Sequence, residues 1–159
     1  MLTHAHFDHI GAIDTVRNEY NIPVYVHEKE KEWLTSPALN LSDHMQVGKI
    51  QVNEADEIIT GEQELTIGSF TFQIYETPGH SPGSISLYFK EADLVCSGDV
   101  LFNGSVGRTD LPAGDPEQLM KSIHDKLLKL PETTSVLCGH GPVTTIGKET
   151  DSNPFLNGF

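Results

Sequence analysis

Four side chains of types that bind divalent metals lie within six positions near the start of the sequence. They are His4, His6, Asp8 and His9, in the segment T-H-A-H-F-D-H-I-G. Imidazole and carboxylate together suit a borderline cation such as zinc. In an extended segment alternate side chains point the same way, so His4 and His6 can meet one ion. Asp8 and His9 follow where a helical pattern begins, on a different face that could hold a second ion.

Three further candidate ligands follow predicted strands. His80 lies in T-P-G-H-S-P-G-S after a strand over residues 70–75, Asp99 ends the apolar run L-V-C-S-G-D, and His140 stands between glycines after a strand over residues 135–138. A carboxylate at the end of a buried strand needs a partner for its charge. The alternatives are a turn cap for Asp99 and loop histidines without a special role. Because all of these positions lie at strand ends or in the loops that follow, we expect them to converge at one edge of a sheet sandwich.

Taken together, the motifs H-x-H-x-D-H-x-x-G, T-P-G-H-S, G-D and G-H resemble the signature of the metallo-β-lactamase superfamily along essentially the whole chain. The resemblance implies an α/β fold, the four-layer αββα sandwich. It also implies two metal sites that share one carboxylate: a first site of His4, His6 and His80, a second site of Asp8, His9 and His140, and Asp99 bridging them.

The resemblance implies a hydrolase with two zinc ions per site. Zinc brings the pKa of a bound water to about 7, so a hydroxide is available as nucleophile, and Asp8 and Asp99 would orient it. His6 favours zinc, because the flavodiiron members of the superfamily usually have glutamate at that position. Iron and manganese are the alternative metals.

Within the superfamily the stretch around Gly107-Arg108-Thr109-Asp110 most resembles the small bacterial glyoxalase II-like hydrolases. A thiolate is a good leaving group, so thioester hydrolysis needs no additional acid motif, and none is visible. We therefore predict a thioesterase that cleaves S-acyl, or hydroxyacyl, thiols. Full glyoxalase II grips glutathione with basic residues of a C-terminal extension, which we do not expect in this protein, so another thiol carrier is an alternative. Arg108 either binds an anionic group of the substrate or pairs with Asp110.

Other functions stay open on the sequence alone. They are a mononuclear iron persulfide dioxygenase of the same superfamily, and an inactive fragment or metal-binding subunit. A nuclease is disfavoured, because the net charge is -13 and Lys and Arg do not cluster. We expect a small-molecule thioester as partner, and neither nucleic acid nor membrane. No apolar run reaches the ~20 residues that span a bilayer, no secretory signal is visible, and two cysteines fit a reducing compartment, so we expect a cytoplasmic protein.

The pattern predicts one domain over residues 1–159, with its first sheet truncated. Family members carry about fifty to seventy residues before H-x-H-x-D-H, an estimate from the resemblance and ordinary domain size. Those residues supply most of the first sheet. We expect an exposed sheet edge that favours self-association.

Periodicity and turn residues predict the remaining elements. We expect a helix over residues 10–20 capped by Asp8, and a helix over residues 116–128 that begins with Asp115 and Pro116. The other predictions are a strand at 23–27, a helix at 28–34, loops at 36–64, strands at 65–68, 70–75, 85–89, 94–99 and 135–138, a long loop at 100–115, and a tail at 147–159 that docks on the core. Cys96 and Cys138 are predicted as buried apolar residues, and His27, His44 and His124 as structural or surface residues.

Overall fold

The computed structural model describes residues 1–157, so the last two residues of the predicted tail lie outside the described part. The chain forms two compact units, Met1–Thr60 and Gly61–Phe159. Each unit has an apolar core of its own. Within residues 1–157 no helix has the length and apolar character needed to cross a membrane.

Unit 1 contains two short helices and one small sheet. Its elements are α1 (Phe7–Ile10), α2 (Ile13–Tyr20), β1 (Tyr25–His27) and β2 (Glu57–Ile59). β1 and β2 pair in parallel. This two-stranded sheet is the sheet of unit 1. The apolar core of unit 1 consists of Leu2, Ala5, Ile10, Val24, Val26, Trp33 and Leu34.

The predicted helix over residues 10–20 is divided in two. α1 ends at Ile10, Gly11 and Ala12 separate the helices, and α2 starts at Ile13. The prediction that Asp8 caps the longer helix is wrong, because Asp8 lies inside the first turn of α1 and Ala12 occupies the N-cap of α2. An acidic side chain in a first turn still interacts favourably with the helix dipole.

Two other expectations for unit 1 need correction. The charged segment Glu28–Trp33 forms a 3-10 helix rather than an α-helix. The region predicted as loops contains β2, whose E-I-I sequence buries one side chain and therefore lacks a strand-like alternation.

His27 is buried and its Nδ1 accepts from the Lys29 N–H, while His44 is exposed, so both have the structural or surface character expected.

Unit 2 is built on a six-stranded sheet in the order β10-β9-β6-β5-β4-β3. The strands are β3 (Gln63–Ile67), β4 (Phe70–Glu76), β5 (Ile85–Phe89), β6 (Leu94–Gly98), β9 (Ser135–Cys138) and β10 (Thr144–Thr145). Strands β3 to β6 form an antiparallel meander, β9 joins β6 in parallel, and β10 is antiparallel to β9. The four apolar strands predicted from residue 70 onward are confirmed.

The long loop predicted at residues 100–115 is wrong in its first half, which forms a small hairpin. β7 (Leu101–Phe102) pairs antiparallel with β8 (Ser105–Val106) around an Asn103-Gly104 turn. This dipeptide is a strong hairpin signal. The strands have only two residues each, so they carry no alternating pattern.

Two helices cover unit 2. α3 (Pro116–Asp125) starts where predicted, with Asp115 accepting from the Gln118 N–H at 3.0 Å, and a 3-10 helix (Leu127–Lys129) follows it. α4 (Ile146–Ser152) buries Ile146 and Glu149, so the start of the predicted tail does dock on the core. The core consists of Tyr88, Val95, Val100, Leu101, Leu119, Ile123, Leu127, Leu130, Val136 and Ile146.

The two cysteines lie in β6 and β9 as free thiols. Both are half-buried, so the prediction of full burial is wrong. Desolvation raises the pKa of the Cys96 thiol. His124 is an exposed residue of α3.

Candidate metal centre

Three of the four N-terminal candidates form one group of imidazoles in unit 1. His4 and His6 are 1% and 3% exposed, and their ring centroids lie 4.9 Å apart at 89°. The His9 ring lies 4.1 Å from that of His4. Asp8 is exposed, and its Oδ2 is 3.7 Å from Nε2 of His9. Unit 1 therefore presents a compact set of imidazole and carboxylate donors.

Glu30 holds the extended segment that carries these histidines. It is fully buried, and its Oε2 accepts from the Ala5 N–H at 2.6 Å, between His4 and His6. A charge-assisted bond of this kind is stronger than one between neutral groups. The His6 ring also lies 5.5 Å from the Trp33 ring. Sequence reasoning missed Glu30, because it stands in the run E-K-E-K-E, which is typical of an exposed helix.

In unit 2 the imidazoles of His80 and His140 both lie close to one carboxylate oxygen of Asp99. Asp99 Oδ2 lies 3.6 Å from Nε2 of His80 and 3.4 Å from Nε2 of His140. These distances exceed those of ordinary hydrogen bonds. Two ligand atoms bound tetrahedrally at about 2.1 Å from one ion stand roughly 3.4 Å apart. The spacing of Asp99 Oδ2 from each imidazole is thus that of ligands sharing an ion.

A backbone contact fixes the orientation of the His80 ring. Its Nδ1 lies 2.8 Å from the carbonyl oxygen of Arg108. A carbonyl can only accept, so Nδ1 carries a proton, and Nε2, the atom that faces Asp99, is the ring nitrogen that could bind a metal. A histidine that donates its second N–H to a carbonyl is the arrangement typical of metal ligands.

The loop that carries His80 is held by α3. Gly79 has a φ of +137°, and a Cβ there would lie 2.3 Å from the backbone of Leu119. The Ser122 hydroxyl donates to the Pro78 carbonyl at 2.7 Å. The T-P-G-H motif therefore needs glycine at position 79 for close packing against the helix as well as for its backbone conformation.

Arg108 pairs with Asp110 by two hydrogen bonds of 2.7 Å, one from Nε and one from Nη2. This pairing lowers the pKa of Asp110 to about 2 and raises that of Arg108. Of the two interpretations of Arg108, the structure thus shows the ion pair. Binding of a substrate anion by Arg108 stays a prediction.

The donor set of each unit fits a divalent transition metal. Imidazole nitrogens suit zinc and iron, and carboxylate oxygens complete the sites of either metal. The sequence model of the metallo-beta-lactamase superfamily matches residues 1–140. The chain belongs to this superfamily.

Relatives within the superfamily match this chain over essentially its whole length. It is 57% identical over 159 residues to the probable metallo-hydrolase YqgX of Bacillus subtilis (strain 168), covering 100% of this chain and 75% of that protein. It is 37% identical over 158 residues to the hydroxyacylglutathione hydrolase GloC of Haemophilus influenzae (strain ATCC 51907 / DSM 11121 / KW20 / Rd), covering 99% and 74%.

Solved structures of the superfamily agree with the fold. The B3 metallo-beta-lactamase BLEG-1 is 57% identical with a TM-score of 0.96, covering 98% of this chain and 75% of that one. TTHA1623 in a di-iron-bound form is 39% identical with a TM-score of 0.80, covering 97% and 75%. The predicted metallo-β-lactamase fold is confirmed, and a metal-dependent hydrolase is supported. The neighbour TTHA1623 was thus solved with iron, one of the alternative metals of the sequence analysis.

Proposed function

We propose that this chain is a thioesterase with two metal ions, which cleaves S-acyl thiols of the hydroxyacylglutathione type. The observation that carries the proposal is the position of Asp99 Oδ2 between Nε2 of His80 and Nε2 of His140. One carboxylate oxygen beside two imidazoles suits a bridge between two ions better than a buried ion pair. The 37% identity to a hydroxyacylglutathione hydrolase supports the substrate class.

In this proposal seven side chains are assigned to two metal ions. His4, His6 and His80 would hold the first ion, Asp8, His9 and His140 would hold the second, and Asp99 would serve both. Membership of the superfamily supports this assignment, and so does the grouping of donors within each unit. We propose zinc for both ions, with iron and manganese as alternatives. The sequence argument for zinc is His6, since imidazole is a softer donor than the glutamate that flavodiiron members of the superfamily usually have at that position.

When bound, the metals supply an activated water and polarise the substrate carbonyl. The chain supplies the orientation. The Arg108 carbonyl holds His80 in the Nδ1–H form, and Asp99 directs one oxygen towards both histidines. Asp8 and Asp99 would accept hydrogen bonds from that water and orient it. The thiol that leaves has a pKa of about 8.5, so it departs as a thiolate without a general acid.

A second candidate is hydrolysis of β-lactams. The observation that favours it is the 57% identity, with a TM-score of 0.96, to a structure described as a B3 metallo-beta-lactamase. The leaving group is then an amide nitrogen, which must be protonated as the bond breaks. A thioester needs no such proton, so the thioesterase is the leading proposal.

The experiment measures metal content and turnover on the same sample. Protein purified without chelators is assayed for zinc, iron and manganese by mass spectrometry. It is then tested for thiol release from lactoyl-glutathione and other acyl thioesters, and for opening of a chromogenic cephalosporin. We expect two metal ions per chain and thioester turnover that a chelator abolishes and zinc restores.

Matched histidine variants complete the test. His80→Ala is expected to lose metal and activity, whereas His124→Ala, which changes an exposed histidine of α3, keeps both. Fewer than one metal per chain, or no turnover across the thioester panel, would contradict the thioesterase. Cephalosporin turnover alone favours the second candidate, and oxygen uptake with a persulfide by iron-loaded protein favours the dioxygenase.

A further inference from the structure

The β7–β8 hairpin follows Asp99 directly, and helix α4 holds its tip through a buried carboxylate. Glu149 of α4 is completely buried. Its Oε2 accepts from the backbone N–H of Gly104, in the hairpin turn, at 2.8 Å, and from Nδ2 of Asn153 at 2.8 Å. Its Oε1 accepts from the Thr144 hydroxyl. Three donors from three places in the chain thus converge on one side chain.

Two other residues of the C-terminal segment bind the same hairpin. Nδ2 of Asn153, which is also completely buried, donates its second proton to the Ser105 carbonyl at 3.0 Å. Nζ of Lys148 donates to Oδ1 of Asn103 at 3.0 Å. Residues 103, 104 and 105 are therefore each tied to α4 or to the residue that follows it.

The base of the hairpin lies against Asp99. The Gly107 N–H donates to the Val100 carbonyl at 3.1 Å, closing the hairpin one residue beyond Asp99. The Ser97 hydroxyl, two residues before Asp99, donates to the Leu101 carbonyl at 3.1 Å. The backbone that precedes Asp99 is thus connected to the backbone that follows it.

The other side of the hairpin faces His140. The ring of Phe102 lies edge-on to the His140 ring, with centroids 6.3 Å apart and planes at 82°. Nδ2 of Asn103 donates to the Val143 carbonyl at 3.3 Å, in the loop that carries His140. The hairpin therefore connects two of the candidate ligands, and a displacement of its tip moves one relative to the other.

Burying a carboxylate is costly unless hydrogen bonds compensate for the lost water. The backbone groups of an exposed hairpin tip can be solvated by water, so folding alone does not require Glu149 there. We propose that Glu149 is a positioning residue of the metal centre, which acts with Asn153 to fix the hairpin and so the spacing between Asp99 and His140. This inference rests on the proposed function, since it requires that Asp99 and His140 bind metal.

The test is the variant Glu149→Gln. The side chain keeps its shape but loses its charge, so the hydrogen bonds from Gly104 and Asn153 are no longer charge-assisted and the Thr144 hydroxyl has to accept instead of donating. The control is Asp151→Asn, the same chemical change at an exposed position of the same helix. Zinc affinity is measured by competition with a chromophoric chelator, well below the unfolding temperature of each metal-free protein. The absorption spectrum of the cobalt(II)-loaded protein reports the ligand geometry.

We expect Glu149→Gln to weaken zinc binding by about 10-fold or more and to change the cobalt spectrum, as loss of an outer partner of a ligand does. Asp151→Asn leaves both unchanged. A role in folding alone would lower the melting temperature of the metal-free protein and leave affinity and spectrum as in the wild type, and that result would overturn the inference.

A milder variant covers the case in which Glu149→Gln does not fold. Thr144→Val removes one donor to Glu149 and retains the carboxylate, so we expect a smaller loss of affinity in the same direction. Wild-type affinity in this variant overturns the inference. If the wild type binds neither zinc nor cobalt, the proposed function fails together with the inference. If the wild type binds and the variants bind equally well, only the inference fails.

Discussion

Gly107 lies directly against Asp99: a Cβ atom at position 107 would stand 1.9 Å from the Asp99 carbonyl oxygen. The same Cβ would lie 3.3 Å from the Cβ of His80. No L side chain fits at the first distance without a shift of the backbone. The residue at position 107 thus limits how closely Asp99 and His80 can pack against each other.

Gly107→Ala is therefore expected to displace Asp99 and His80 from each other. We expect a loss of bound metal, and a loss of stability of about 1–3 kcal/mol from overpacking. The control is Gly68→Ala, at a φ of +60° with nothing within 4 Å of the added Cβ, which carries a conformational cost alone. Metal content and urea unfolding measure the two effects. Full metal content in Gly107→Ala would show that the contact is not needed.

Arg108 supports His80 through its backbone and not through its side chain. Arg108→Ala is therefore expected to keep the metal content of the wild type, because the carbonyl at position 108 is retained. Metal analysis of Arg108→Ala beside His80→Ala checks this expectation. Metal loss in Arg108→Ala equal to that in His80→Ala would mean that the ion pair with Asp110 holds the loop in place.

At low pH, Asp110 is expected to stay ionised where ordinary carboxyl groups are already protonated. Hydrogen bonds from Arg108 lower its pKa to about 2 from 3.8. A carboxyl group whose pKa is lower in the folded than in the unfolded state stabilises the fold at pH values above its unfolded pKa. This contribution to stability is lost as the pH falls through the folded pKa of about 2. Carboxyl carbon NMR should place the midpoint for Asp110 near pH 2 in the wild type and near 3.8 in Arg108→Ala. Equal midpoints in the two proteins would contradict a side-chain pairing in solution.

Glu30 is expected to be needed for metal binding although it is not a proposed ligand. Glu30→Gln removes the charge from the bond to Ala5, and a bond to a charged group contributes about 1.5–3 kcal/mol. We expect weaker zinc binding, because the segment of His4 and His6 becomes less ordered. Glu32→Gln, at an exposed position of the same 3-10 helix, is the control. Calorimetric zinc titration measures both, and equal affinities would count against this role.

The sequence was most informative where strands are apolar or alternate between apolar and polar residues. β4, β5, β6 and β9 were predicted with nearly correct bounds, because their alternation or continuous apolar runs are strong signals. These strands place His80, Asp99 and His140, so the grouping of those residues in unit 2 was predictable. The assignment of all seven residues as metal ligands stays a prediction.

The burial of individual carboxylates, and the hydrogen bonds that they accept, were not predictable from the sequence. Glu30 and Glu149 stand in polar segments, and a sequence pattern gives no sign that their carboxylates are buried. The break between α1 and α2 was missed, because Ile10, Ile13 and Val16 keep helical spacing across it although α2 buries no side chain. Such features depend on contacts between distant parts of the chain, which local periodicity does not record.

The order of strands in unit 2 has a consequence for synthesis on the ribosome. β4, β5 and β6 are consecutive hairpin partners, whereas β9 pairs with β6 from roughly 40 residues further along, a contact that closes more slowly. We therefore expect the strands that carry His80 and Asp99 to pair first, and His140 to join them only after β9 has been made. Until then the set of donors in unit 2 is incomplete.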